Sequence, residues 1–467
     1  MMENDIKDIL KDAIHLEGKM ADKVVSKLIN NANVHKQLQH ISNAKQNIMQ
    51  EATIYKEKEE FKEAHFMIKN ANSKQAYEYR FDMEKFPNIK IKNIRNLEPI
   101  GLVFEDNTMK GTPVINNTFD LDIEFFHVND EQNIEIKTVQ LFVNADPKDL
   151  WKKIASPLNA IFYKPEEAAY KGPFLDKKIV IASKRGRSHA HEGTFRDDDF
   201  ALSELPSAWS IIAVSDGAGA AKKARYGSQL STEAVLDFFN NEEVINEIES
   251  NVIAIYTATQ EATETDAEGN TADEKVTAKQ NIIRLLYKGT LHVYNLLQKT
   301  ADEHSFSIKD LHATLIFSLA KKFDFGYVIL TFGVGDCPIN LINPDFSEVK
   351  LLNQMDVGEF SGGTRFITMK EIFNDPQISS RFGINCVPDF SHLILMTDGI
   401  YDPKFVTENK LENVESWKAF FHDLDGNNED GIKVDFNNDE IIDQQLLQWT
   451  DFWSKGNHDD RTLAIIY

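Results

Sequence analysis

Several apolar stretches of this chain end at an aspartate, and carboxylates delivered in that way are its best candidates for chemistry. Ile211-Ile212-Ala213-Val214-Ser215 runs into Asp216-Gly217-Ala218-Gly219, and Leu393-Ile394-Leu395-Met396-Thr397 runs into Asp398-Gly399. Tyr327-Val328-Ile329-Leu330-Thr331-Phe332-Gly333-Val334-Gly335 leads to Asp336, and Asp459-Asp460 comes just before Thr462-Leu463-Ala464-Ile465-Ile466-Tyr467. Runs of this composition read as buried strands. An Asp at the end of such a strand is held rigidly and still reaches solvent, and a following glycine lets the backbone approach an ion with no Cβ in the way. One Asp-Gly pair alone would be an ordinary turn signal. Four strand ends that each deliver a carboxylate predict a site for hard cations, which prefer oxygen ligands.

The elements that must hold these residues follow from the pattern around them. From 178 onward strands mix with helices: Lys178-Ile179-Val180-Ile181-Ala182 reads as a strand, 227–240 as a helix, and 242–301 as two more. The polar stretch 261–279 interrupts these helices, lacks an apolar period and reads as a mobile inserted loop. Residues 312–319 and 325–333 read as a hairpin around Lys321-Lys322. The mostly antiparallel order argues for an α+β layered fold and against a doubly wound one. No Walker-type phosphate loop and no dinucleotide fingerprint occurs.

Upstream, residues 1–75 carry apolar residues at helical spacing (Ile6, Leu10, Ile14, then Val24, Val25, Leu28, Ile29, then Leu38, Ile41, Ile48) and predict two or three amphipathic helices. They read as packing on the neighbouring domain, with a coiled-coil-like hairpin or a docking segment as alternatives. The mixed charge run 56–62 reads as a solvated face. Residues 76–150 switch to period-two alternation, as in Thr118-Phe119-Asp120-Leu121-Asp122-Ile123-Glu124-Phe125, and predict a small antiparallel β-sandwich. Residues 151–177, with Pro157, Pro165 and Pro173, read as a linker.

The 467 residues suggest two or three domains. A formal charge of -23, from 74 acidic against 51 basic residues, argues against nucleic acid or an anionic membrane as the main partner. Two cysteines, Cys337 and Cys386, imply no disulfide framework and fit a reducing compartment, with each read as a small buried apolar side chain. Neither a signal peptide nor a membrane-spanning run is seen, so a cytoplasmic protein is expected. The acidic stretch 423–430 fails the spacing of a calcium loop, since position six counted from Asp425 is Asp430 where a Gly is needed.

Six local signatures, in order, resemble the metal-dependent (type 2C) serine/threonine protein phosphatases, bacterial branch, over residues 178–467. They are Arg196-Asp197-Asp198-Asp199-Phe200, Val214-Ser215-Asp216-Gly217-Ala218-Gly219, His312-Ala313-Thr314, Val334-Gly335-Asp336, Met396-Thr397-Asp398-Gly399 and Asp459-Asp460-Arg461-Thr462. The resemblance implies an α-β-β-α sandwich that hydrolyses phosphoserine and phosphothreonine in proteins through a water bridging two Mg²⁺ or Mn²⁺ ions. It implies that Asp216 bridges the ions, that the Gly217 carbonyl joins the first, and that Asp398 and Asp459 hold the second. Asp198 would act through metal-bound water, and Asp336 would serve a third, weaker ion. A weaker resemblance, carried by Leu97-Glu98-Pro99-Ile100-Gly101-Leu102-Val103-Phe104 and Lys110-Gly111-Thr112-Pro113, links residues 97–145 to a bacterial immunoglobulin-like repeat and implies a recognition or spacer module.

Two positions depart from the family pattern. Gly193 stands where an Arg often grips phosphate, which leaves Arg185, Arg187 and Arg196 as nearby candidates, with a guanidinium well suited to a phosphate dianion. Ala218 stands where a His often follows the Asp-Gly pair, which leaves His189 as a candidate acid or as a structural residue. Glu359 is a candidate flap residue near substrate. Against the phosphatase stands a degenerate domain that binds a phosphoprotein without turnover. The N-terminal region is expected to select substrate or tether the enzyme, and a fragment from about 175 is expected to hydrolyse a small aryl phosphate.

Overall fold

The computed structural model describes residues 2–16, 18–257, 270–356 and 363–467 and divides the chain into two compact units, Met1–Leu150 and Trp151–Tyr467. The first unit opens with helices α1 (Met2–Ile14), α2 (Lys19–Ile29) and α3 (Ala32–Glu63). The Asn31 side chain accepts from the backbone N–H groups of Asn33 and Val34 and so caps α3. Seven strands follow: β1 (Ala71–Asn72), β2 (Tyr77–Arg80), β3 (Ile89–Arg95), β4 (Leu102–Glu105), β5 (Thr108–Gly111), β6 (Thr118–His127) and β7 (Asp130–Asn144). They form two small sheets, ordered β1-β7-β6-β3 and β2-β5-β4. Alternate residues of β6, Leu121, Ile123 and Phe125, enter a core that also takes Phe81, Leu102, Met109 and Phe61 of α3. The end of α3 and residues 66–71, expected with the helical stretch 1–75, therefore share the core of 76–150, while α1, α2 and the start of α3 pack on one another around Ile6, Leu10 and Val25. The charge run 56–62 is solvated on one side only, at Lys56, Glu59 and Glu60. Lys58 is 1% exposed and pairs with Asp130 at 2.6 Å and Glu135 at 3.3 Å, and Phe61 is fully buried.

The second unit begins with an irregular stretch and then β8 (Glu167–Phe174), β9 (Lys177–Lys184), α4 (Arg187–Glu192), β10 (Asp199–Leu205), β11 (Trp209–Ser215), α5 (Ala224–Phe239), α6 (Glu242–Tyr256) and α7 (Asn270–Glu303). It continues with β12 (Leu315–Phe323), β13 (Gly326–Val334), β14 (Ile339–Ile342), β15 (Val349–Leu351), α8 (Lys370–Phe373), β16 (Phe382–Val387) and β17 (His392–Met396). The last elements are α9 (Asp398–Phe405), α10 (Val414–Leu424), α11 (Ile442–Trp449) and β18 (Arg461–Ile466). Two antiparallel sheets result, ordered β10-β11-β12-β13-β16 and β15-β14-β17-β18-β9-β8.

Strands such as β11 and β13 are buried on both faces, which is why they read as continuous apolar runs. One face of each sheet meets the other through Ile181, Ile212, Val214, Ile316, Leu395 and Ile466. The outer face of the first sheet is covered by α5, α6 and α7 through Val235, Phe239, Ile248 and Leu286. The outer face of the second is covered by α9, α10 and α11 through Phe405, Trp417 and Trp449. The layering is α-β-β-α, as expected of this α+β chain.

Three local expectations give way. Residues 167–174, read as linker, form β8 and pair with β9 from Glu167↔Lys184 to Phe174↔Lys177. Proline fits there because β8 is an edge strand. Of the polar stretch 261–279, residues 261–269 lie outside the described residues, but 270–279 are the first turns of α7, which runs ahead of its own apolar stripe. The β12–β13 hairpin turns at Asp324-Phe325, closed by the Phe323↔Gly326 pair, so Lys321 and Lys322 lie within β12.

Candidate metal centre

Strand direction gathers the carboxylates. β11 and β13 both run antiparallel to β12, so Asp216 and Asp336 follow the same end of their sheet, and β10 starts there after Asp198. In the other sheet β17 ends and β18 begins side by side, which delivers Asp398 and Asp459-Asp460. The Asp216 N–H donates to Thr314 Oγ1 at 2.9 Å, and its carbonyl accepts from the Thr314 N–H at 2.7 Å. Gly217 bridges to Ala313 and is required, because a Cβ there would meet the Asp197 carbonyl oxygen at 2.7 Å. Asp198 is fully buried, and its Oδ2 accepts from Thr397 Oγ1 at 2.8 Å and Thr462 Oγ1 at 2.7 Å. Asp336 Oδ2 accepts from Thr364 Oγ1 at 2.8 Å.

This leaves a dense, under-satisfied group of acids. Burial raises the pKa of Asp216 well above the ordinary carboxylate range, and the charges of Asp398, Asp198, Asp459 and Asp336 push it further. Burial, then Asp459, Asp336 and Asp198, do the same to Asp398. Asp198 rises to about 7 through burial and Asp460, although its two threonine donors oppose the shift. The Oδ1 atoms of Asp198, Asp336 and Asp398 are buried with no hydrogen-bond partner. Like charges crowded in this way, with three orphaned oxygens, fit divalent cations that prefer oxygen ligands. Asp216 and Asp336 also lie within 4.8 Å of the Cys337 thiol, which is fully buried and held in its neutral form by burial and by those two carboxylates.

The sequence-nominated metal residues Asp198, Asp216, Gly217, Asp336, Asp398 and Asp459 thus come together. The nominated arginines do not face them as free groups. Arg196, expected as a catalytic phosphate grip, is 2% exposed and donates to Ser183 Oγ and to the carbonyls of Asp198 and Pro165. Arg185 is buried against Ser156 Oγ and the Thr194 and Ile154 carbonyls, and Arg187 is held by Asp451. His189 lies at the rim, with Nδ1 3.0 Å from both Asp460 oxygens and Nε2 3.8 Å from Asp197 Oδ2. Burial disfavours its charge, but Asp460, Asp197 and Asp459 raise its pKa to about 10 and keep it an imidazolium. Glu359 lies outside the described residues.

Two residues carry more than the sequence suggested. Asp460, nominated for no role beside Asp459, accepts from His189 and from the backbone N–H groups of Gly186 and Asp197. Burial alone would raise its pKa, and these donors bring it below the ordinary value. Lys164 is 4% exposed, and burial lowers its ammonium to about 8 against the opposing pull of Asp199. The only sequence signal for it was a lysine in a proline-spaced, aperiodic stretch.

The chain matches the protein phosphatase 2C family over residues 185–446. Among solved structures it is similar to the serine/threonine phosphatase Stp1 from Staphylococcus aureus, at 16% identity and a TM-score of 0.33, covering 63% of this chain and 95% of that one. It is also similar to the phosphatase domain of the cell fate determinant SpoIIE from Bacillus subtilis, at 15% identity and a TM-score of 0.28, covering 65% and 93%. No curated protein matches it.

Proposed function

The chain belongs to the protein phosphatase 2C family, and on that premise we propose that Trp151–Tyr467 is a Mg²⁺- or Mn²⁺-dependent phosphatase acting on phosphoserine or phosphothreonine in proteins. The observation that carries the reading is the set of orphaned Oδ1 atoms on Asp198, Asp336 and Asp398, next to an Asp216 whose charge four other carboxylates oppose. Asp216, Asp398 and Asp459, with the Gly217 carbonyl, would hold two ions, and Asp336 a third. Two such ions supply the positive charge and water activation that phosphate-ester hydrolysis requires at neutral pH.

The protein's own groups set that geometry. Thr397 and Thr462 orient Asp198, Thr314 fixes the backbone of Asp216, and Thr364 steadies Asp336. The His189 imidazolium acts as a fixed positive charge that offsets Asp460, Asp197 and Asp459. With a pKa near 10 it is a poor proton donor to a leaving group near pH 7.

The engagement of Arg185, Arg187 and Arg196 inside the protein favours a second reading, a degenerate domain that binds without turnover. Hydrolysis of p-nitrophenyl phosphate and a phosphothreonine peptide with Mn²⁺, beside Asp216→Asn and an EDTA control, separates the two. Metal-dependent turnover lost in Asp216→Asn supports the enzyme, and a folded protein that binds Mn²⁺ without turnover is the binder. The N-terminal unit would select the phosphoprotein or tether the enzyme near it.

A further inference from the structure

We infer that Lys164 is a positioning residue for the metal centre: it clamps the Asp197-Asp198-Asp199 backbone from a strap, residues 151–166, that precedes the family-matched region. The role rests on the metal-site reading above.

An ammonium has three donors, and Lys164 places all three. Its Nζ lies 2.9 Å from the Asp198 carbonyl oxygen, 3.0 Å from Ser228 Oγ and 3.0 Å from Asp199 Oδ2. Ser228 Oγ in turn donates to the Asp197 carbonyl. One ammonium and one hydroxyl therefore fix three consecutive residues, the middle of which is the buried acid Asp198. Burying a lysine is costly, and a Met or Leu stem would fill the same space without the desolvation penalty. What only the lysine adds is the set of donors. The backbone it holds needs them, because β10 starts at Asp199 on the edge of its sheet and has a neighbouring strand on one side only.

The strap is itself anchored. The Phe162 ring stacks on Tyr226 with centroids 3.8 Å apart and planes 14° from parallel. Arg225 donates to the Phe162 carbonyl at 2.8 Å and the Ile161 carbonyl at 3.1 Å, while its guanidinium lies 3.9 Å over Phe195. Arg196 donates to the Pro165 carbonyl, and the Ile154 N–H to the Ala190 carbonyl. Arg196 thus joins the strap to the same Asp198 carbonyl that Lys164 holds.

The test uses the full chain and reads Mn²⁺ binding by calorimetry, alongside kcat and KM for p-nitrophenyl phosphate and thermal unfolding. Lys164→Met keeps the aliphatic stem and removes the donors. It is expected to weaken Mn²⁺ binding at least tenfold and to lower kcat at limiting Mn²⁺. At saturating Mn²⁺ most of kcat returns and KM stays near wild type, a metal rescue that a purely structural defect does not give. Ser228→Ala, which removes the relay to Asp197 and one of the three acceptors of Lys164, is expected to weaken Mn²⁺ binding about threefold, and it decides the matter if Lys164→Met does not fold. Wild-type Mn²⁺ affinity in either folded variant overturns the assignment. A wild-type protein that binds Mn²⁺ without turnover refutes the phosphatase reading, yet calorimetry still judges Lys164. A wild-type protein that binds no Mn²⁺ overturns both.

Discussion

The backbone of Asp460 passes so close to Gly399 that a Cβ on that glycine would stand 1.8 Å from the Asp460 carbonyl oxygen. Gly399→Ala must therefore push the Asp459-Asp460 segment away from Asp398. We expect a stability loss of about 1–3 kcal/mol, the usual cost of overpacking, in a denaturant melt. Turnover with Mn²⁺ should fall at least about tenfold, since 1.4 kcal/mol of lost positioning already gives that factor. A variant as stable and active as wild type would show that this approach does not constrain the centre.

Asp216→Asn separates stability from function. It removes one of several mutually repelling charges, so in EDTA its melting temperature should equal or exceed that of the wild type. Mn²⁺ at a hundredfold excess over Kd should stabilise the wild type by about 2.7 kcal/mol and leave the variant nearly unmoved. Turnover should drop at least about a hundredfold, because several kcal/mol of charge stabilisation goes with the ion. An unchanged Mn²⁺-dependent shift in the variant would remove Asp216 from the ligand set.

His189→Gln leaves the buried Asp460 without its charged partner, though Gly186 and Asp197 still donate to it. A destabilisation of about 1–3 kcal/mol is expected by chemical denaturation. Full retention of stability would mean that the imidazolium does not balance these acids.

Acid sensitivity should arise far from the centre, at His392. Its ring lies among Phe346, Phe421 and Phe436, and burial, helped by Lys177, lowers its pKa from 6.5 to about 4. The unfolded chain takes up this proton near pH 6.5 and the folded chain only near 4, so stability is complete above 6.5 and is lost as pH falls through that window. The loss amounts to at most about 3 kcal/mol. His392→Phe should flatten the stability curve between those values, and an unchanged slope would assign it to other groups.

The carboxylate cluster was legible in the sequence because Asp216, Asp336 and Asp398 follow apolar strands and Asp459 precedes one, and the sandwich follows from the directions of those strands. The threonines were visible beside their aspartates, but that Thr397 and Thr462 both donate to Asp198 depends on two sheets meeting. Arg196 misled because its place beside Asp198 says nothing of direction, and its side chain turns inward to Ser183. Lys164 and β8 were read as linker because prolines at 165 and 173 break any period, and an edge strand needs none to be held by its neighbour. The charge run around Phe61 hid a core residue for a similar reason, since Lys58 is buried by its partners and not by its own character.

Those misreadings change where the chain can be cut. A fragment starting at 151 keeps the strap and β8 and should hydrolyse an aryl phosphate with Mn²⁺ at near full rate. One starting at 175 loses Lys164 and all of β8, and should fall at least about tenfold at limiting Mn²⁺ or fail to fold. Equal activity of both fragments would relegate the strap to packing.

The pairing of β9 with β18 joins Ser183 to Thr462, 279 positions apart in the chain. Closing so long a loop costs entropy before any contact repays it, so pairings of this kind form late in folding. Within each sheet the carboxylates come from nearer partners, Asp216 and Asp336 beside β12 and Asp398 and Asp459 through the β17–β18 pair. The two halves meet only across the long separations that bring Thr397 and Thr462 to Asp198. The proposed cation site is thus among the last features to be completed. A refolding chain passes through a stage with half its ligands in place, and Mn²⁺ added then should alter only the slowest phase.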